Sequence, residues 1–181
     1  MDYFLTEDQR MIKDLARRIT EELIIPKRAE LDEKEEFPRD ILKACGEAGL
    51  FGACIPEEYG GSGGGVFENC IIVEELSRGC LGVSTSFAAT FLGSYPIILY
   101  GSEEQKRRYL TKVAKGEMIC AFALTEAEAG SDVTNIKTRA VKDGNHYVIN
   151  GVKQWITNGG EADLYTVICL LYTSPSPRDR G

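Results

Sequence analysis

The sequence predicts an α+β protein: an all-helical N-terminal domain followed by an incomplete antiparallel β-domain. Three observations predict it. Apolar residues recur at helical spacing through the first two-thirds of the 181-residue chain. After Gly116 the period shortens to that of strands. Beyond that point Asp143-Gly144, Asn150-Gly151 and Asn158-Gly159-Gly160 supply hairpin-type turn signals. The boundaries follow: 1–117 for the helical domain, 118–171 for the partial β-domain, and 172–181 for a polar, proline-broken tail.

The elements take their order from local chemistry. Thr6-x-x-Gln9 has capping-box form, and Met11, Leu15, Ile19 and Leu23 recur along one face behind it. Pro26 is expected to kink or end that helix. Pro38 starts a second helix, with Ile41, Leu42, Cys45 and Ala48 apolar and Gly49 at its end. The run Gly60-Gly61-Ser62-Gly63-Gly64-Gly65 matches neither a P-loop nor Gly-x-Gly-x-x-Gly, so it reads as a flexible interhelical turn. A third helix is predicted over 67–78, capped by Gly79. Residues 84–100 are apolar almost all round and read as a buried helix interrupted near Pro96. Ser102-x-x-Gln105 opens another helix, with Glu103 and Glu104 in its first turn and Lys112 and Lys115 toward its end, as the helix dipole favours. Its Lys106-Arg107-Arg108 run reads as a solvated face. Met118 to Thr125 is a mostly apolar run. An antiparallel meander is then predicted over 137–142, 146–150, 152–157 and 163–171.

Composition excludes several function classes. The formal net charge is −7, which argues against sequence-independent nucleic-acid binding. The N-terminus has no basic region followed by an apolar run, and no apolar stretch reaches the ~18 residues of a membrane span. The six cysteines lack any Cys-x-x-Cys pair, so they read as free thiols in a reducing, cytoplasmic setting rather than a zinc site. The single histidine, His146, is expected at an exposed strand position, which leaves no Ser-His-Asp triad.

What remains is Leu124-Thr125-Glu126-Ala127-Glu128-Ala129-Gly130-Ser131-Asp132 and, about thirty residues on, Trp155-Ile156-Thr157-Asn158-Gly159-Gly160. Thr125, Ser131 and Thr157 offer hydroxyls. Gly130 allows backbone N–H groups close to a ligand, and Trp155 offers a flat face. A large flat cofactor with a polar rim needs such a set. From the residues alone a second reading stays open, in which Trp155 is a core anchor and the first segment a well-bonded loop.

These segments carry a resemblance. With Leu5-Thr6-Glu7-Asp8-Gln9, Pro56-Glu57-Glu58-Tyr59-Gly60-Gly61, Tyr100-Gly101-Ser102-Glu103-Glu104-Gln105-Lys106 and Asn150-Gly151-x-Lys153-x-Trp155-Ile156-Thr157-Asn158-Gly159, the chain resembles the N-terminal half of an acyl-CoA dehydrogenase, from about Leu5 to about Ile168. It departs at Asn135, where the family favours a small residue, and at Glu128, where many members have glycine. The resemblance implies FAD as cofactor, with Phe122, Ala123, Leu124, Thr125, Gly130 and Ser131 lining the flavin and its diphosphate. It implies Trp155 and Ile156 against the ring, Thr157 near N5, and Ser131 also on the substrate's CoA arm. It implies α,β-dehydrogenation of an acyl-CoA, an electron-transfer flavoprotein as partner, and a homo-oligomer, a tetramer, for the complete protein.

The family's catalytic base is a glutamate of a C-terminal helical domain, and no residue here is assigned that role: Glu126 and Glu128 occupy motif positions the family does not use for it. The abrupt loss of pattern near Cys169 predicts a truncated or mis-joined coding sequence with a non-native tail. The isolated chain is therefore expected to be inactive and to hold FAD weakly or not at all. Two other ancestries are compatible with the residues: a fragment of an acyl-CoA oxidase, and a non-catalytic helical interaction or nucleotide-binding module.

Overall fold

Helix N-termini set the frame of the helical domain. In the computed structural model, which describes residues 4–171, α1 spans Glu7–Ile19 and α6 spans Glu103–Ala114. Both open with the predicted capping boxes: Thr6 accepts from the Gln9 N–H, Ser102 from the Gln105 N–H, and each glutamine returns a bond to its cap. Pro26 does not end the first helix. The chain continues through a π-helical turn, Thr20–Ile24, into α2, Ile25–Lys34, with Pro26 in the first turn of α2. The Ile25 N–H reaches back to the Thr20 carbonyl. Proline is tolerated in a first helical turn, and the widened turn before it supplies one.

The third helix, α3, covers Arg39–Glu47 and closes as predicted around Gly49. The Gly49 N–H bonds to the Gly46 carbonyl and the Leu50 N–H to the Cys45 carbonyl, at 2.8 and 2.9 Å. Helix α4 runs Val66–Gly79 and α5 runs Leu81–Tyr100. Gly79 is not the expected cap. It ends α4 where a Cβ would meet Thr20 Cγ2 and Ile24 Cγ2 at 2.8 Å, so it lets α4 press against the π-helical turn. The Thr20 hydroxyl donates to the Glu75 carbonyl at 3.1 Å in the same contact, and the Glu75 side chain ties α4 to α1 beside it. It is buried between Arg17 (2.9 Å) and Arg78 (2.7 Å). Burial pushes its carboxyl up, but the two guanidiniums outweigh this and hold it below its ordinary value.

The glycine run is built rather than flexible. Gly61, Ser62 and Gly63 donate to the carbonyls of Pro56, Gly52 and Ile55, and a Cβ on Gly61 would collide with the Ile55 carbonyl. Helix α5 runs on through Pro96 without the predicted interruption. It is also, among the described residues, one helix long and apolar enough to cross a membrane, contrary to the expectation that no stretch is. Interspersed Ser, Thr and Gly hide that length in the sequence. In this fold α5 is the central helix, with Ser84, Ser86, Thr90 and Ser94 buried along it. Phe87 stacks on Phe51 at 4.6 Å in the main core, which Leu42, Ile72, Leu76 and Val83 complete. A second core under α6 gathers Ile55, Tyr59, Leu110 and Val113.

The β-part begins with Cys120, and its pairing is mixed rather than an antiparallel meander. Strand β1, Cys120–Ala123, pairs in parallel with β4, Leu164–Val167. Strands β2, Arg139–Asp143, and β3, His146–Asn150, form the expected antiparallel hairpin. The short β5, Leu170–Leu171, joins β2 in parallel. Residues 152–157 form no strand despite their alternating pattern. Parallel partners lie far apart in sequence, so no local turn signal announces them. The predicted tail, 172–181, lies outside the described residues.

The glycine turn yields a graded prediction. Gly61→Ala forces a methyl into backbone and should cost about 3 kcal/mol or more. Gly60→Ala meets no neighbour and carries only the strain of its φ of +86°, about 1–2 kcal/mol. Urea unfolding of both variants checks the order; equal losses would refute the packed turn.

Candidate functional site

The candidate residues sit where β1 leaves the helical floor. Phe122 and Ala123 end the strand, and Leu124 and Thr125 continue it as half-buried backbone. Ala123 is buried with its side chain in the core, and its carbonyl accepts from the Ile168 N–H, so it supports the face from behind. A tight turn follows, closed by reciprocal bonds between Glu126 and Ala129 at 3.1 and 3.2 Å. Gly130 and Ser131 emerge from it exposed. A Cβ on Gly130 would meet nothing in this chain. The space over it is open.

The second segment is laid beside the first. Gln154 N–H donates to the Thr125 carbonyl at 3.0 Å. Lys153 Nζ donates to the Leu124 carbonyl at 2.7 Å. At the other end the buried Asn158 donates from Nδ2 to the Cys120 and Ser86 carbonyls, both at 2.9 Å. Residues 153–158 therefore run antiparallel to 120–125 without being a strand, tied at both ends. Trp155, Ile156 and Thr157 lie between the ties. Trp155 is 85% exposed, which excludes the reading of it as a core anchor. Its φ is +58° and that of Asn158 is +64°. A bulky side chain rarely adopts that conformation, and such strain persists where the surroundings over-determine it.

Glu126 organises the ground beneath. It is buried, and it accepts from Lys153 Nζ (2.7 Å), from the Lys137 N–H (2.6 Å) and from the Thr138 N–H (3.0 Å). The Lys153 ammonium first, then the Thr138 and Lys137 donors, hold its carboxyl down at about 2. Glu128 faces solvent and pairs with Lys137. Thus the first segment is also the well-bonded loop of the alternative reading, and that bonding serves to present Thr125. The sequence reading missed Lys153 and Asn158 as site-shaping residues and gave Glu126 no role. Their signal was present in the Thr125-Glu126 and Lys153-x-Trp155-x-x-Asn158 motifs, but charge in a loop reads as solvated.

The face is open surface rather than a cleft. A groove of about 890 Å³ lies elsewhere, lined by Met11, Ile12 and Leu15 of α1 and by Gly63 and Gly64. His146 opens β3 and is exposed, as expected. What is displayed here is an exposed indole, an exposed Thr157 two residues on, the half-buried Thr125 on the adjoining segment, and open space over Gly130.

Comparison with known proteins decides the ancestry. The family model described as "Acyl-CoA dehydrogenase, N-terminal domain" matches residues 6–117, and "Acyl-CoA dehydrogenase, middle domain" matches 121–181. The chain belongs to the acyl-CoA dehydrogenase family. A short-chain specific acyl-CoA dehydrogenase of Clostridium acetobutylicum is 42% identical over 176 residues, 94% of this chain and 45% of that protein. Among solved structures, an acyl-CoA dehydrogenase of Bacillus anthracis complexed with FAD aligns with a TM-score of 0.86 and 39% identity, over 93% of this chain and 29% of that one. A chain in a structure described as the electron transferring flavoprotein of Acidaminococcus fermentans aligns at 0.87 and 45% identity, over 92% of this chain and 44% of that one. The chain spans less than half the length of the relatives it matches.

Acid linkage tests the Glu126 network. Its folded carboxyl titrates at about 2, below the ordinary 4.5, so its contribution to stability is complete above pH 4.5. It is lost as pH falls through about 2. Urea melts between pH 6 and pH 2 should show stability falling over that window, with a shallower fall in Glu126→Gln. An identical slope in the variant would remove Glu126 from the linkage.

Proposed function

We propose that this chain is the flavin-facing part of an enzyme that dehydrogenates an acyl-CoA thioester between its α and β carbons. The observation that carries the reading is Trp155, an exposed indole on strained backbone, in a segment that the Gln154 N–H ties to the Thr125 carbonyl. FAD, when bound, would supply the redox chemistry by accepting the β-hydride at N5. Thr125 and Thr157 would hold the ring by hydrogen bonds, and Trp155 and Ile156 would cover its face. Phe122, Leu124, Gly130 and Ser131 would line the flavin and diphosphate. Ser131 would also contact the CoA arm.

The same proposal assigns the base outside this chain. A base suited to the α-proton needs a pKa near the working pH and a free lone pair. Glu126 is poorly suited: its carboxyl is held down at about 2, and Lys153, Lys137 and Thr138 all donate to its oxygens. We therefore expect the isolated chain to bind FAD weakly and to turn nothing over. For the complete protein the proposal includes an electron-transfer flavoprotein as acceptor and a homo-oligomer, a tetramer. The structural likeness to a chain from an electron-transferring flavoprotein structure supports the first of these. A cytoplasmic, fatty-acid-metabolising setting belongs to the same reading, supported by six unpaired thiols.

Equilibrium dialysis of the full 181-residue chain with FAD tests the site. Saturable binding is expected, with Thr125→Val and Thr157→Val each weakening it by about 1 kcal/mol. No binding up to about 1 mM FAD would remove the flavin assignment for this chain. Butyryl-CoA added to the loaded chain should leave the flavin spectrum unbleached; bleaching would mean that this chain does contain a base.

A further inference from the structure

We propose that Lys153, through its buried pair with Glu126, is the positioning residue of this face: it holds Trp155 and Thr157 in place beside Thr125. The argument starts from an imbalance at Trp155. Its backbone sits at positive φ, which costs a bulky residue conformational energy. Its side chain is 85% exposed, so its own burial returns nothing to hold it there. The restraint must come from its neighbours in the chain. On one side Asn158 is pinned by two carbonyls. On the other, the Gln154 N–H holds the Thr125 carbonyl, and one residue further Lys153 supplies the first side-chain restraint.

Lys153 makes that restraint in an unusual way. An ammonium has three donors on a flexible stem and is ordinarily solvated. Here the side chain is 11% exposed and its partner's is 8%. Two donors are spent on the face itself, one on the Leu124 carbonyl and one on Glu126 Oε1, both at 2.7 Å. Glu126 is in turn fixed by the Lys137 and Thr138 N–H groups. One buried pair thus joins three separate stretches, 124–126, 137–138 and 153–154, at the edge of the displayed surface. A buried ion pair adds little net stability compared with apolar packing. What it adds is direction, because charge-assisted hydrogen bonds fix where both chains lie. A methionine could fill the volume of Lys153 but could not hold the Leu124 carbonyl.

The part of this inference that concerns flavin affinity rests on the function proposed above; the part that concerns Trp155 does not. The chain has a single tryptophan, so its fluorescence reports this loop alone. Time-resolved anisotropy of the full chain should show Trp155 moving with the whole molecule. Lys153→Met should add a fast depolarising component and raise the FAD dissociation constant by about tenfold or more. Lys153→Arg should restore most of both. Val113→Ala, a core truncation in α6, lowers stability without touching the loop and should change neither. A folded Lys153→Met chain with wild-type anisotropy decay overturns the proposal. If Lys153→Met fails to fold because Glu126 is left unpaired, Glu126→Gln/Lys153→Met removes both charges and is read the same way. Failure of that double variant also overturns it, since the pair would then be a folding requirement rather than a local guide. A wild-type chain that binds no FAD refutes the flavin reading, while the anisotropy still decides the role of Lys153.

Discussion

The close approach of α5 to β1 is the contact on which the rest of the structure depends. It occurs at Gly93, where a Cβ would lie 2.8 Å from the Ala121 carbonyl oxygen and 2.8 Å from Cys120 Cβ. Only the absence of a side chain lets the helix touch strand backbone. Four further bonds use the same line. Thr166 Oγ1 donates to the Gly93 carbonyl at 2.7 Å and sets the register of β4 on β1. Asn158 bridges Ser86 on α5 to Cys120 on β1. Asp163 accepts from the Ile119 N–H just before the strand begins. The helical domain is therefore the floor on which the β-part is laid, and α5 aims the exit of β1 toward Thr125.

That division of labour explains where charge is buried. Glu75 and Glu126 are both taken out of water, and each joins segments distant in sequence. Glu75 clamps α1 to α4 through Arg17, and Arg78 on its own helix steadies it. Glu126 ties the loop after β1 to residues 137–138 and to Lys153. Hydrophobic burial is non-directional and cannot choose between neighbouring registers. A carboxylate with fixed donors can. In both places the apolar core is already complete on one side, and the charge serves to orient what lies at its edge.

The helical domain was largely legible in the sequence because its rules are local. Thr6 with Gln9 and Ser102 with Gln105 carry their meaning within a single turn, and both boxes form. Gly49 ends its helix for the same kind of reason. The misreadings of 152–157, the glycine run and Gly79 share a cause, a partner outside the residue's own turn. Residues 152–157 alternate like a strand, yet they bond to 124–125 through one backbone donor and one lysine side chain, which no period encodes. The glycine run reads as slack until Ile55 and Gly52 are placed beneath it. Gly79 reads as a stop until Thr20 and Ile24 are seen against it. In the site, Thr125, Gly130, Ser131, Trp155 and Thr157 could be chosen by chemical type. The fixtures Glu126, Lys153 and Asn158 could not, because burial is what gives a charge or an amide that role.

The candidate face also shows how geometry can be stored before any ligand arrives. Binding costs less when the groups that meet a ligand are already ordered. Here the ordering energy is drawn from contacts that point away from the face: Asn158 into α5, Glu126 into the loop at 137–138, Ala123 into the core. The displayed groups, Trp155 and Thr157, are left exposed in return. A fold that stabilised itself would turn the indole inward, where a tryptophan returns the most burial energy. Held outward on strained backbone, the indole is kept there by the anchors beneath it and not by its own burial, which is the physical ground on which the proposed site stands.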